Sequence, residues 1–302
     1  MQKPISAGTA LLLTVPPVLW AGNAVVGRLL APLVPPMTLN LMRWVLALLI
    51  LAALAWRSPA FPFRRGGAGL AYWRRLALLG LLGIGLYNSL QYLALQTSGP
   101  INVTLVAASM PVWMLVVGAL FFRVPAKRAQ WLGALLSVLG VLIVICHGDW
   151  HQLRGLRLVP GDVLMIVATI VWSFYSWMLV QRREPDSLRQ DWAAFLLAQV
   201  AFGVLWSSLF AVGEWSLRPQ HIVWGWPTVL GLLYVAVGPA VIAFRCWGAG
   251  VERAGPSIGS FFVNLTPLFA ALLSAAVLGE APHLYHGLAF ALIVGGILVS
   301  RR

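Results

Sequence analysis

Among the aromatic and polar side chains inside long apolar stretches of this sequence, where polar groups are costly, eight are candidates to line a pocket. They are Trp20, Asn23, Tyr87, Gln91, Trp172, Tyr175, Tyr234 and Asn264. Tyr87 and Gln91 are four residues apart and so share one helix face. Trp172 and Tyr175, three apart, do the same. Aromatic faces beside amide groups predict a neutral pocket for a small amphipathic solute with an apolar or aromatic body.

Each of these residues has a structural alternative. Gln91 and Asn264 could form hydrogen bonds between helices, and Tyr or Trp near the end of a span commonly lies in the interfacial belt. That belt is expected to hold Trp56, Trp73, Trp131, Trp150, Trp215, Trp224, Trp226 and Trp247. Arg43 is expected to be the one cation well inside a span. It could contact a substrate carboxylate, but a structural role, with its side chain reaching the interface or helix carbonyls, is favoured.

The ionisable groups lie away from the membrane interior. All eight carboxylates are expected in loops or at span ends: Asp149, Asp162, Glu184, Asp186, Asp191, Glu214, Glu252 and Glu280. The sequence shows no metal-ligand cluster and no nucleophile–base pair, so we predict no metal, no cofactor and no enzymatic activity. Ion-coupled carriers commonly keep an ionisable group at membrane depth. We therefore predict transport down the solute's own gradient, with proton coupling through Asp162 or Glu280 as the alternative.

The elements that must position these residues are membrane-spanning helices. Sixty per cent of the 302 residues are hydrophobic and ten per cent are charged. The apolar residues cluster in blocks of roughly 20, the length that crosses ~30 Å of hydrocarbon as a helix. Ten spans are predicted, at 7–27, 38–56, 76–95, 101–122, 129–146, 161–181, 192–212, 228–244, 257–278 and 284–300.

The basic residues indicate the orientation of the chain. A net charge of +13 could suit nucleic acid, but 16 of the 21 Lys and Arg residues fall on the side of the N-terminus and four on the other side. This is the positive-inside pattern, and it argues against nucleic acid as a partner. Both termini are predicted to be cytoplasmic, with the basic rim against anionic lipid headgroups.

Two stretches of the chain repeat each other. From Gly99 to Val144, adding 156 to each position gives a matching pattern, including Gly-Pro at 99–100 and at 255–256. Five spans in each half invert the second half relative to the first. We predict an all-α integral membrane protein of ten transmembrane helices. They form two five-helix inverted-topology repeats, 1–146 and 161–302, around a central cavity, joined by an outer connector at 147–160.

Pro111 and Pro267 occupy matching places in the two repeats, in spans 4 and 9. A proline removes one backbone donor and interrupts the helix. A static kink for packing would explain one such proline. The matched pair predicts hinges beside a central site, about which the protein could alternate access.

Several short sequence runs in the two halves form a recognisable pattern. The second half carries Gly-Val-Glu-Arg-Ala-Gly-Pro at 250–256, Phe-Val-Asn-Leu-Thr-Pro-Leu-Phe-Ala-Ala-Leu-Leu at 262–273 and Leu-Gly-Glu at 278–280. The first carries Pro-Pro-Met-Thr at 35–38, Arg-Trp at 43–44 and Tyr-Leu-Ala-Leu at 92–95. Together they resemble the drug/metabolite transporter superfamily, in its EamA-type ten-helix branch, over essentially the whole chain. The departure is Phe-Arg-Val-Pro at 122–125, where the first repeat would end in Leu-Gly-Glu.

The resemblance implies a central cavity lined by spans 1, 3, 4, 6, 8 and 9. The superfamily includes YddG-type exporters of aromatic amino acids and exporters of other metabolites. We therefore expect a bacterial inner-membrane transporter, working as a monomer, that exports aromatic or neutral amino acids and related metabolites by facilitated diffusion. The alternatives are a proton-coupled exporter of another solute class and, more remotely, a membrane enzyme or a channel.

Overall fold

The computed structural model describes residues 5–64, 69–98, 103, 106–146, 149, 151, 159–181, 183–217, 221–278 and 284–301. These residues form helices with short connections, and no strand occurs among them. Gly99, Pro100, Trp150, Glu280 and most of the connector lie outside the described residues.

Within the described parts of the chain, six helical stretches are long and apolar enough to cross a membrane. They are Ala7–Gly27, Pro36–Ala55, Leu70–Ala94, Pro160–Val180, Trp192–Leu217 and Trp226–Ala254. Shorter apolar helices, Met110–Phe121, Arg128–Ile143 and Leu284–Ser300, fall in the predicted spans 4, 5 and 10. The chain is therefore an all-helical protein with several membrane-spanning helices.

The α-helices are numbered here in chain order. They are α1 Ala7–Leu30, α2 Pro36–Ala55, α3 Leu70–Gly80, α4 Tyr87–Thr97, α5 Met110–Phe121, α6 Arg128–Ile145, α7 Pro160–Val180, α8 Asp186–Gln190, α9 Trp192–Leu217, α10 Trp226–Val235, α11 Ala243–Ala254, α12 Pro256–Val263, α13 Thr266–Leu278 and α14 Leu284–Ser300.

The eighth span is longer than the sequence predicts. The expected end was residue 244, but the helix continues through α11 to Ala254. The reason is that α11 is amphipathic: it buries Phe244 and Trp247 and leaves Arg245 exposed. Arg245 therefore also lies within a candidate span, as Arg43 does. Arg245 lies nine residues before Ala254, or about 13 Å along the helix at 1.5 Å per residue.

Two spans contain a π-helical segment. Leu81–Leu86 joins α3 to α4, and Ala236–Ile242 joins α10 to α11. Adding the repeat offset of 156 to 81–86 gives 237–242, so the segments occupy matching positions in the two halves. Short π segments are frequent at functional sites.

Two further spans are interrupted, again at matching positions. A turn at 108–109 precedes α5, and a turn at 264–265 separates α12 from α13. Pro111 is the second residue of α5 and Pro267 the second residue of α13. Proline is well tolerated in the first turn of a helix because the N–H groups there have no partner within the helix. Each proline therefore begins the second part of a broken span.

The helices contact one another in pairs that match between the two halves. α2 packs on α9, and α6 packs on α14. α1 contacts α11 and α13, while its counterpart α7 contacts α4 and α5. At the α6–α14 crossing, a Cβ on either Gly133 or Gly296 would lie 2.6 Å from the carbonyl oxygen of the other. Glycine there lets the two backbones touch.

Arginines bind the last carbonyl groups of α7 at the basic end of the bundle, where α7 ends and α9 begins. Arg75 donates to the Met178 carbonyl oxygen at 2.7 Å and pairs with Glu184 at 2.5 Å. Arg189 donates to the Leu179 carbonyl oxygen at 2.8 Å. Cations at the last carbonyls of a helix offset the negative end of its dipole, so both arginines stabilise the end of α7.

At the opposite end of the bundle, carboxylates bind the N–H groups at the start of helices. Glu214 accepts hydrogen bonds from the backbone N–H groups of Met37 and Thr38 at 2.9 and 3.0 Å, which joins α9 to the start of α2. Asp162 accepts from the backbone N–H of Val159 at 2.9 Å and from the hydroxyl of Ser98, at the start of α7. Both carboxylates accept hydrogen bonds from backbone N–H groups at the start of a helix.

Candidate functional site

Six aromatic side chains meet where α1, α4, α7 and α11 converge. This aromatic cluster consists of Trp20, Tyr87, Trp172, Tyr175, Phe244 and Trp247. Trp172 is its centre, with ring centroids 4.9 Å from Tyr87, 5.1 Å from Tyr175, 5.5 Å from Trp20 and Phe244, and 5.6 Å from Trp247. Trp20 and Phe244 meet it edge to face, a favoured aromatic geometry. Trp172 is 2% exposed, so the cluster fills the space between these helices.

Most polar groups of the cluster already have partners. Trp20 Nε1 donates to the Pro239 carbonyl oxygen at 3.3 Å, within the π segment Ala236–Ile242. The Tyr175 hydroxyl donates to Gln199 Oε1 at 3.1 Å. Trp172 Nε1, in contrast, is buried without a hydrogen-bond partner in the described part of the chain. An unpaired buried donor is costly, which makes this N–H a group that a bound solute could satisfy.

The π segment Leu81–Leu86 determines how closely Tyr175 approaches. A Cβ on Gly83 would lie 2.5 Å from the Tyr175 ring. Glycine at this position therefore lets the ring rest against the backbone of the third span.

The structure thus brings together four of the residues that the sequence singled out, Trp20, Tyr87, Trp172 and Tyr175. Tyr234 lies beside α1, where its hydroxyl donates to the Leu19 carbonyl oxygen at 3.2 Å.

Asn23 and Gln91 are partly buried on helices that carry cluster residues. Asn23 lies one turn after Leu19 on α1, and its Oδ1 is buried without a described partner. Gln91 lies one turn after Tyr87 on α4. Their part in binding stays a prediction.

Asn264 is placed differently. It is 1% exposed, and its Nδ2 donates to the Ala108 carbonyl oxygen at 3.2 Å. The two residues are 156 positions apart, which is the repeat offset. Asn264 therefore links the breaks of spans 4 and 9.

Sequence reasoning missed two members of the aromatic cluster. Trp247 was expected in the interfacial belt, and this is wrong: it is 0% exposed, and Nε1 donates to Ser176 Oγ at 3.3 Å. The repeat could have revealed it, because Trp247 is 156 residues after Gln91, a residue already assigned to the pocket. Phe244 matches Asn88 by the same offset.

Most of the other predicted belt residues are exposed. Trp56, Trp131, Trp215, Trp224 and Trp226 are 42–77% exposed. Trp73 is partly buried and stacks on Phe63 with ring centroids 6.0 Å apart.

Arg43 is buried behind the third span. It is 1% exposed, and its Nη1 lies 3.4 Å from the Tyr92 hydroxyl and 3.5 Å from Asn88 Oδ1. Its guanidinium also lies 4.9 Å from the ring centroid of Trp44. These contacts are those of an arginine that joins α2 to α4, and its contact with a substrate carboxylate stays a prediction.

A cavity reaches the aromatic cluster from the basic end. It lies between α7, α9 and α11 and opens to solvent. Tyr175, Gln199 and Phe244 line it, together with the charged residues Arg189, Arg245 and Glu252. The described residues contain no group of three His, Cys, Asp or Glu side chains that could hold a metal.

Comparison with known proteins assigns the chain to a family. Residues 8–146 and 159–302 each match the EamA-like transporter family. An uncharacterized transporter of Archaeoglobus fulgidus is 25% identical over 98% of both chains. An aromatic amino acid exporter, YddG of Ancylobacter novellus, is 26% identical over 78% of this chain and 79% of its own. A crystal structure with 23% identity covers 96% of this chain and 95% of its own with a TM-score of 0.73, which supports the fold.

Proposed function

The chain belongs to the EamA-like transporter family, and from this premise we propose that it exports small organic solutes from the cytoplasm. The proposed solutes are aromatic or neutral amino acids and related metabolites, and the proposed mechanism is alternating access without ion coupling. The proposed setting is a bacterial inner membrane, with both termini cytoplasmic and a single chain as the working unit.

The aromatic cluster is the observation that carries this proposal. It lies at the junction of four spans and holds a buried donor, Trp172 Nε1, that has no partner among the described residues. A flat apolar solute that displaced one of the rings would find aromatic faces on several sides. The similarity to YddG of Ancylobacter novellus, an aromatic amino acid exporter, supports the same solute class.

Matching irregularities in the helices of the two halves support an inverted repeat. Two kinds of helix irregularity occur in both halves, 156 residues apart. They are the π segments and the breaks before Pro111 and Pro267. Inverted repeats commonly place broken helices beside a central solute site. We propose that Pro111 and Pro267 are hinges, that Asn23, Gln91, Tyr234 and Asn264 complete the pocket, and that the chain has ten spans.

The carboxylates support transport without proton coupling. Asp162 is buried, but it is held as the cap of α7 by Val159 and Ser98. Glu214 is held as the cap of α2. Neither projects from the middle of a described span, where a coupling group would be expected.

The first test is uptake of labelled phenylalanine, tryptophan and threonine into proteoliposomes, with and without a pH gradient. Saturable uptake that reaches equilibrium and ignores the gradient is expected. Accumulation driven by the gradient would overturn the coupling proposal, and uptake of none of the three would overturn the amino-acid assignment.

The aromatic cluster has its own test in Trp172→Ala. Because this change removes the ring that contacts all five others, uptake of phenylalanine should fall about tenfold or more, as expected for a loss of at least 1.4 kcal/mol. Trp224→Ala is the matched control, since Trp224 is 61% exposed. Equal uptake by the two variants would exclude the cluster as the solute site.

A further inference from the structure

The cavity at the basic end contains a cation that the proposed mechanism has not used. Arg245 lies on α11 between Phe244 and Trp247, whose rings both contact Trp172 at 5.5 and 5.6 Å. The backbone of Arg245 is therefore level with the aromatic cluster. A charge at this depth is expensive and usually marks a functional site.

Arg245 has no carboxylate partner within 4.0 Å among the described residues. Its guanidinium instead lies 5.2 Å from the ring centroid of Trp192, at the start of α9. The cation–π contact directs the charge toward the basic end without neutralising it. The guanidinium N–H groups thus keep most of their capacity for an anion.

The second arginine of the cavity differs in this respect. Arg189 donates to the Leu179 carbonyl oxygen at 2.8 Å and to Glu252 Oε1 at 3.2 Å, and it lies 4.7 Å from the Phe195 ring centroid. Its donors are largely committed to the protein. Any anion entering the cavity would therefore pair with Arg245.

One face of α11 lines the cavity. Arg245, Gly248, Ala249 and Glu252 all line the cavity and follow one helix face at offsets of three, four and seven. The two small residues in the middle, Gly248 and Ala249, separate the charged ends by about two turns of helix. The inner wall is Tyr175 and Phe244, both members of the aromatic cluster.

We propose that this cavity is an entry site in which Arg245 binds the carboxylate of an amphipathic solute while the apolar body rests on Tyr175 and Phe244. The inference builds on the proposed function and sharpens it, because it makes a carboxylate next to an apolar body the recognised chemistry. Arg245 would then select carboxylates over the corresponding amines.

The test compares phenylalanine with 2-phenylethylamine, which lacks the carboxylate, in proteoliposomes. Arg245→Gln should raise the KM for phenylalanine about tenfold, as expected for a lost charge-assisted hydrogen bond. The KM or inhibition constant of 2-phenylethylamine should not rise. Arg245→Lys should restore part of the preference. Arg253→Gln, an equal change of charge on the same helix and away from the cavity lining, is the control.

The ratio between the two solutes is measured on one preparation, so a variant that folds poorly does not imitate the expected result. An unchanged ratio in Arg245→Gln would overturn the inference. Wild-type protein that carried 2-phenylethylamine but not phenylalanine would overturn it and leave the carrier function standing. Transport of neither would overturn both.

A lipid phosphate could bind an arginine in the same way. The comparison is therefore repeated in phosphatidylcholine vesicles with and without phosphatidylglycerol. A solute carboxylate predicts the same change in both vesicles. An effect of Arg245→Gln confined to vesicles with phosphatidylglycerol, and equal for both solutes, would assign the site to lipid and overturn the inference.

Discussion

Arg43 and Arg245 both place a guanidinium beside a tryptophan within a span, yet their surroundings differ. Arg43 is 1% exposed and contacts Asn88 and Tyr92 across a helix interface. Arg245 is exposed, lines a cavity and lies over the face of Trp192. A buried cation joined to neighbouring helices contributes to the fold, whereas a cation beside open space can bind a ligand.

The largest expected difference between Arg43 and Arg245 is in what each contributes to the stability of the protein. Arg43→Gln leaves the Asn88 carbonyl group and the Tyr92 hydroxyl short of a partner inside the protein. We expect a loss of about 2–4 kcal/mol in the free energy of unfolding. Thermal unfolding in detergent measures it.

Arg245→Gln is the matched variant for this measurement, because the same change at an exposed position should alter stability by no more than about 0.5 kcal/mol. Equal losses in the two variants would contradict the distinction. So would a change in solute preference caused by Arg43→Gln alone.

A smaller effect is expected from Tyr92→Phe. This change keeps the ring and removes the hydroxyl, which lies 3.4 Å from Arg43 Nη1. One hydrogen bond to a charged group is lost, so we expect a destabilisation of about 1–2 kcal/mol and unchanged solute preference. Thermal unfolding and the phenylalanine to 2-phenylethylamine ratio, measured together, check both statements. A stability equal to that of the wild type would show that the contact between the Tyr92 hydroxyl and Arg43 contributes nothing to the free energy of unfolding.

The smallest effect is expected at Trp192. Trp192→Leu removes the ring beneath the Arg245 guanidinium, whose contribution is about 0.5–1 kcal/mol, or roughly a two- to fivefold rise in the KM for phenylalanine. Uptake by Trp131→Leu, which changes a tryptophan that is 42% exposed, is the comparison. A larger effect than that of Arg245→Gln would indicate that Trp192, and not the arginine, contacts the solute.

The burial of the central residues could be predicted from the sequence, but their contacts with residues of other helices could not. Trp172 and Tyr175 lie in the middle of a continuous apolar stretch, so their burial follows from position alone. Trp247 follows a charged residue and precedes Glu252, which is the pattern of an interfacial tryptophan. Its burial depends on α1 and α7, which are distant in sequence and cover one face of an amphipathic helix.

The end of the eighth span shows the same limit. A hydrophobicity criterion stops at Arg245 because a charge is costly in hydrocarbon. The helix continues because its other face buries Phe244 and Trp247, while Arg245 lies beside the cavity and the Trp192 ring. Likewise, Pro111 and Pro267 indicate breaks at matching sites, but the hydrogen bond of Asn264 to Ala108 depends on how spans 4 and 9 cross.

That hydrogen bond distinguishes a duplicated chain from a pair of identical subunits. A homodimer with a two-fold axis would form two such bonds or none, since each subunit repeats what the other does. Here Asn264 meets an alanine at the matching position, and one bond forms. The two breaks are therefore unequal, which the two-fold symmetry of a homodimer would not allow.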